Sequence, residues 1–216
     1  MIATNRIPGE QKTVLKPISW QTFTALLQET GEDRGSRWAY DGEQLEIMTP
    51  LLEHESYKSN LGNFVLALAE ELNRELKSAG SMTLKQEALE KGIEPDNCYY
   101  IQSEPVVRGK QKLNLETDPP PDLAIEVDLT HSSINKLGIY AALQVPELWR
   151  YNRGVLTFYQ LVEGEYVERE LSVAFPVVSV RDLARFVEES QTSGEIAALK
   201  AFRSWVREKL HERGSS

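Results

Sequence analysis

One stretch constrains the fold of this chain more than any other: PDLAIEVDLTHSSINK at residues 121–136, which runs on as LGIYAALQVPELWRYN to residue 152. Leu123, Ile125, Val127 and Leu129 alternate with Asp122, Ala124, Glu126 and Asp128. That is the period of a β-strand, whose successive side chains point to opposite sides. One face is built for a core, and the other carries three carboxylates. SINKLGIYAALQ then reads as a helix with Leu137, Tyr140 and Ala141 along one side, and ELWRYN resumes as a strand. Lys136 falls in the first turns of that helix if Ser132 or Ser133 is its N-cap.

Upstream, ISWQTFTALLQET at residues 18–30 reads as a short helix with Ser19 as its N-cap. RWAYDGEQLEIMTP reads as a β-hairpin turning at Asp41-Gly42. The spacing of Leu61, Val65, Leu68, Leu72 and Leu76 predicts a long helix over 51–79, closed by Gly80 as a C-terminal cap. Carried back seven residues from Leu61, its apolar stripe reaches His54. SMTLKQEAL (81–89) and NCYYIQ (97–102) read as strands around a turn containing Gly92, and residues 105–121, ending in three prolines, as a loop. The order helix, three strands, helix, strand is the core of an α/β domain with three α-β-α layers and a mixed central sheet. An N-terminal helix and hairpin elaborate it on one side. On the other stand a hairpin turning at Glu163-Gly164 and helices over 181–189 and 194–212.

With 216 residues and 41% hydrophobic content, the chain suffices for one sizeable core. We expect a single domain over 1–216, with a flexible N-terminus over 1–17, its core in 51–151 and a C-terminal helix in 191–216. That helix carries Ile196, Leu199, Phe202, Val206 and Leu210 on one side, which suits packing on its own domain or a dimer contact. No run approaches the roughly 18–20 apolar residues of a membrane span, and MIATNRIPGEQK lacks the layout of a signal peptide. The expectation is a cytoplasmic protein with no membrane partner. Cys98, the single cysteine, excludes an intrachain disulfide and a cysteine-rich zinc site. The net charge of −9 and pI near 5.0 argue against broad, charge-driven adhesion to nucleic acid. They leave room for a localised contact, because divalent ions offset carboxylates at a site.

Glu126 and Asp128 share one strand face roughly 6.5–7 Å apart, whereas Asp122 stands about 13 Å from Glu126. The first two suit one metal site, and Asp122 joins them only with help from strand curvature or a bridging water. Carboxylates without cysteines, and with few histidines, suit Mg²⁺ or Mn²⁺ better than zinc. Asp96, in the run IEPDNCYYI, enters a second strand that would bring it beside Glu126 if the two strands are neighbours. Lys136 sits where a helix dipole disfavours a cation, and a metal-bound carboxylate cluster supplies the missing rationale. Its ammonium would orient or help deprotonate a water, or stabilise charge developing on a phosphoryl oxygen. The alternatives are a solvated outer face for Glu126 and Asp128, a surface lysine, and a hydrogen-bonded core or helix-start role for His54. The chain contains no G-x-S-x-G elbow, no G-x-x-x-x-G-K loop and no H-E-x-x-H.

Taken together, EPDNCYYI, PPPDLAIEVDLT, Lys136 and IYAALQVPELWRY resemble the Uma-two family of restriction endonucleases, over about residues 20–190 and most specifically over 94–151. The resemblance implies a PD-(D/E)XK, restriction-endonuclease-like fold with its nuclease core in 51–151. On that reading Asp96 is the aspartate of the first half-motif and Glu126 the acidic residue of the second. Asp128 stands where the superfamily normally has lysine, and the resemblance implies that this lysine has migrated to the helix as Lys136. Asp122 matches an acidic position at the strand start, where it would shape the site or bind a second ion. His54 matches a histidine near the start of the first long helix.

The expected function is a Mg²⁺- or Mn²⁺-dependent endonuclease acting on DNA, with Asp96 and Glu126 on the metal, Asp122 and Asp128 as further candidate ligands, and Lys136 and His54 assisting. The resemblance also suggests a homodimer. The rival expectation is a binding or regulatory module that keeps the nuclease fold without turnover. The acidic pI and the absence of lysine at position 128 favour it.

Overall fold

The computed structural model describes residues 11–31 and 34–214. Along the chain come β1 (Gln11–Leu15), α1 (Trp20–Thr30), β2 (Arg37–Tyr40), β3 (Leu45–Thr49), α2 (Leu52–Glu71), β4 (Lys77–Gly80), β5 (Leu84–Gln86), β6 (Lys91–Ile93) and β7 (Asn97–Tyr100). There follow the single turn α3 (Glu104–Val107), β8 (Leu123–Asp128), α4 (Lys136–Ala142), β9 (Glu147–Asn152), β10 (Val155–Val162), β11 (Glu165–Arg169), α5 (Val180–Thr192) and α6 (Glu195–Gly214).

The strands form a six-stranded sheet in the order β11-β10-β9-β8-β7-β4 and a five-stranded sheet in the order β1-β3-β2-β6-β5. In the larger sheet β8 and β9 run parallel, joined through α4, while β7 lies antiparallel to β8. The result is a mixed central sheet of the restriction-endonuclease-like kind. Every residue of β8 is buried, because both faces are covered. On one side Leu123, Ile125 and Val127 pack with Leu61, Phe64 and Leu68 of α2, Phe186 of α5, and Phe202 and Val206 of α6. On the other, Ala124 packs with Ile139 and Tyr140 of α4 and with Ala39, Leu84 and Ile93 of the smaller sheet. The third layer is thus shared between α4 and a second sheet, an element the expected α-β-α order lacked.

Several expected boundaries shift for local reasons. The long helix stops at Glu71, eight residues before its expected end at 79. Asn73 adopts a left-handed φ of 50°, its N–H bonds Glu70 O at 3.0 Å, and Arg74 N–H bonds Ala69 O at 2.8 Å. That is a Schellman stop built on asparagine. Leu72 and Leu76 prolong the helical spacing because the turn beyond still packs on the core. Gly80 belongs to β4, at an irregularity in its pairing with β7. Gly92 lies within β6 rather than in a turn, where an added Cβ would come within 2.7 Å of the Phe23 ring.

Of the N-terminus expected to be flexible, residues 1–10 lie outside the described residues, and Gln11–Leu15 forms an edge strand paired with β3. Ser19 caps α1, accepting from Thr22 N–H at 3.2 Å. The C-terminal helix packs on its own domain through Ala198, Phe202 and Val206. Among the described residues no helix is long and apolar enough to cross a membrane.

Candidate active site

The polar face of β8 is sealed inside the protein. Glu126 is 2% and Asp128 1% exposed, so the solvated-face alternative does not hold for them. Asn135, not Ser132 or Ser133, caps α4, accepting from Gly138 N–H at 3.1 Å. The two serines are held instead by the buried Glu46 of β3, which accepts from Ser132 Oγ at 3.0 Å and Ser133 N–H at 2.6 Å. Lys136 becomes the first residue of α4, and its side chain turns back over β8. There its ammonium donates to Glu126 Oε1 and, at 2.9 Å, to Asp128 Oδ1. Tyr140, one turn further along α4, donates its hydroxyl to Glu126 Oε2 at 2.6 Å. Arg150, opposite Glu126 in the β8–β9 register, donates through Nε to Asp128 Oδ2 at 2.9 Å.

Asp96 reaches the cluster by extending the β7–β8 ladder. Its N–H bonds Ile125 O at 3.1 Å, and its Oδ2 accepts from Val127 N–H at 2.7 Å. His54, fully buried at the start of α2, places Nε2 3.2 Å from the same oxygen. Asp96 Oδ1 is buried and accepts no hydrogen bond among the described residues, and Arg37 Nε of β2 stands 4.0 Å from it. Asp96, Glu126, Lys136, His54 and Asp128 therefore meet in one place. Asp122 does not join them. Its carboxylate accepts from Ile101 N–H at 2.6 Å, Ser103 N–H at 2.9 Å and Ser103 Oγ at 3.0 Å, so both oxygens hold the turn after β7. The expected place of Asp122 at a metal thus stands beside an observed one, as the holder of this turn. Asp128 likewise has both oxygens taken, by Lys136 and Arg150.

The electrostatics follow from three carboxylates facing Lys136 and Arg150 out of water. Burial pushes the Glu126 carboxyl up to about 7 against the pull of the Lys136 ammonium, with Asp96 and Asp128 adding to the rise. For Asp128 burial pushes the same way, but Lys136 and Arg150 outweigh it and hold the carboxyl below its usual range. Burial would depress Lys136, yet Glu126, Asp128 and Asp96 prevail and its ammonium keeps the proton more firmly than a free lysine. Burial and then Glu126 raise the Tyr140 hydroxyl, which stays a donor.

A family model described as "Putative restriction endonuclease" (Uma2) matches residues 20–188. The chain belongs to the Uma2 family. Among solved structures it is similar to "a putative nuclease belonging to DUF820 from Anabaena variabilis", with 14% identity, a TM-score of 0.53, and coverage of 79% of this chain and 99% of that one. At that identity the likeness concerns the fold alone. A search of curated proteins finds no match. The Uma2 match runs from the start of α1 into α5 and takes in the whole acidic cluster.

Three residues of this cluster are not marked by the sequence patterns. Tyr140 read as part of the apolar side of its helix, although its i+4 spacing from Lys136 is a signal that the two reach one target. Arg150 is tied to Asp128 by the β8–β9 register, and Arg37 reaches Asp96 from the second sheet. Neither relation is written in local sequence.

As a donor set for a hard cation the cluster has a specific shape. Among the described residues no three acidic, histidine or cysteine side chains converge as a ready-made metal cage. Mg²⁺ needs none, since it binds through one or two carboxylates and keeps several waters. Asp96 Oδ1, a buried acceptor with no hydrogen bond among the described residues, fits such an ion, and Glu126 would join it as the second carboxylate by exchanging the Lys136 or Tyr140 donor. Lys136 presently serves as the cation between the β8 carboxylates.

Proposed function

We propose that the chain is a metal-dependent endonuclease that hydrolyses phosphodiester bonds in DNA, with Mg²⁺ or Mn²⁺ held by Asp96 and Glu126. The observation that carries this reading is the convergence of Asp96, Glu126 and a helix-borne Lys136 in one buried cluster, in a chain of a family described as restriction endonucleases. A bound Mg²⁺ supplies a Lewis acid and a water of lowered pKa. The other roles belong to the chain. Lys136 keeps its proton and so acts as a charge-stabilising donor to a phosphoryl oxygen rather than as a base. Tyr140 fixes Glu126, and Arg150 fixes Asp128, which steadies the ammonium. His54, beside Asp96, is the group placed to hold or pass a proton. Asp122 and Asp128 enter as holders of the turn and of the lysine. Cutting both strands of a duplex calls for two such sites, so the reading includes a homodimer, checked by light scattering.

Titration of Mn²⁺ into the wild type and Asp96→Asn, followed by calorimetry, tests the donor set. The wild type should bind and the variant bind at least about tenfold more weakly, while equal affinity would remove Asp96 from the role. A second reading, a nuclease-fold binding module without turnover, is favoured by one observation: both oxygens of Glu126 and of Asp128 are already engaged by Lys136, Tyr140 and Arg150. Retention on a DNA column in Ca²⁺ with no cleavage in Mg²⁺ would select it.

A further inference from the structure

On the α2–α5 side of the larger sheet, a cavity of about 620 Å³ opens between the start of α2, the β9–β10 turn and α5. Its floor is an aromatic pair, Tyr57 and Tyr151, with ring centroids 4.3 Å apart and planes 29° from parallel. Its wall is α5, which presents Arg181 and Arg185 on successive turns, and the exposed turn residue Gly154 forms the rim. Against the two arginines the lining holds one carboxylate, Glu188, in a chain whose net charge is −9. Arg181 is 86% exposed, with Glu170 3.6 Å from its Nε, and the Arg185 guanidinium lies 4.1 Å above the Phe186 ring.

The cavity lies on the α2–α5 side of the larger sheet, the face opposite the Glu126 and Asp128 carboxylates, and touches the elements that carry the site through two residues. Tyr57 lies one helical turn along α2 from His54. Tyr151 is paired in register with Val127, whose N–H holds Asp96. Resting on the nuclease reading, we propose that this groove takes a single nucleic-acid strand, with a base against the half-buried Tyr57 of the pair and backbone phosphates on Arg181 and Arg185, as a strand-holding surface on the side of the sheet away from Glu126. Aromatic faces flanked by cations are the means by which proteins hold unpaired strands without reading their sequence. A groove of this volume has room for a nucleotide or two, and stacking on Tyr57 calls for a base that is unpaired.

The test is fluorescence anisotropy of a labelled oligothymidylate in EDTA, where no metal-dependent step intervenes. The wild type should bind. The double variant Arg181→Ala/Arg185→Ala, altered only at exposed positions, should bind at least about tenfold more weakly, with a salt dependence flatter by about 1.4 in the log–log slope for two lost single-strand phosphate contacts. Tyr57→Leu, shown folded by circular dichroism, should weaken binding while leaving the slope unchanged. Affinities equal to wild type in both variants overturn the groove. If the wild type meanwhile cleaves DNA in Mg²⁺, the nuclease reading survives that result. A wild type that binds duplex but no single strand also overturns the groove, and one that neither binds nor cleaves removes both readings.

Discussion

Replacing Lys136 with methionine keeps the volume that packs over β8 and removes the charge. Glu126 Oε1 and Asp128 Oδ1 then lose their donor, while Tyr140 still holds Glu126 Oε2 and Arg150 still holds Asp128 Oδ2. Breaking a buried ion pair by deleting one partner costs about 3–5 kcal/mol, because the remaining charge is left out of water. For a domain of this size that corresponds to a loss of roughly 6–20 °C in Tm. The pH dependence carries a sign. Burial already pushes the Glu126 carboxyl up to about 7, with Lys136 the main group opposing the rise. A carboxyl raised in the folded state contributes stability that is fully present below its unfolded pKa, about 4.3, and is lost as pH rises through the folded value. Wild type and variant therefore lose this contribution together up to about pH 7. Above that the variant, whose Glu126 is raised further, goes on losing up to about 1.4 kcal/mol per pH unit. Urea unfolding of both proteins at pH 6 and pH 9 in EDTA should show the gap widening with pH. A variant within about 1 kcal/mol of wild type, or a gap independent of pH, would refute the placement of the ammonium between the two carboxylates.

Asp122→Ala should lower stability by about 2–4 kcal/mol, since two backbone N–H groups lose their acceptor, yet leave Mn²⁺ affinity within twofold on calorimetry. Gly92→Ala should cost about 1–3 kcal/mol in urea unfolding, because the new methyl meets the Phe23 ring. Cys98, whose thiol burial pushes up to about 12, should react with a thiol reagent only at the rate at which the fold opens.

The central strand, its flanking helix and the following strand were legible because period-2 alternation and a bounded apolar helix are local signals. The end of α2 was not, since the asparagine stop at 73 carries no glycine and the leucine spacing runs past it. The edge strand β1 is polar on one side and only half covered on the other, so QKTVL reads as loop until β3 is there to pair with it. At the site, strand arithmetic already separated Asp122 from Glu126 and Asp128, and the structure shows the turn that Asp122 holds. The meeting of Lys136 with the β8 carboxylates was foreshadowed by a cation placed at the unfavourable end of a helix. The partners supplied by register or by the second sheet, Arg150 and Arg37, depend on tertiary placement that one sequence does not encode locally.

A metal-dependent cut made at Asp96, Glu126 and Lys136 is the proposed activity. Its most direct test is cleavage of supercoiled, linear, branched and single-stranded DNA in Mg²⁺ or Mn²⁺ by wild type, Glu126→Gln and Lys136→Ala, each shown folded at the assay temperature. The expected result is cleavage by the wild type that EDTA abolishes and that both variants lose by at least about a hundredfold. Cleavage surviving in either variant, or a folded wild type that cuts no substrate with either metal, would contradict it.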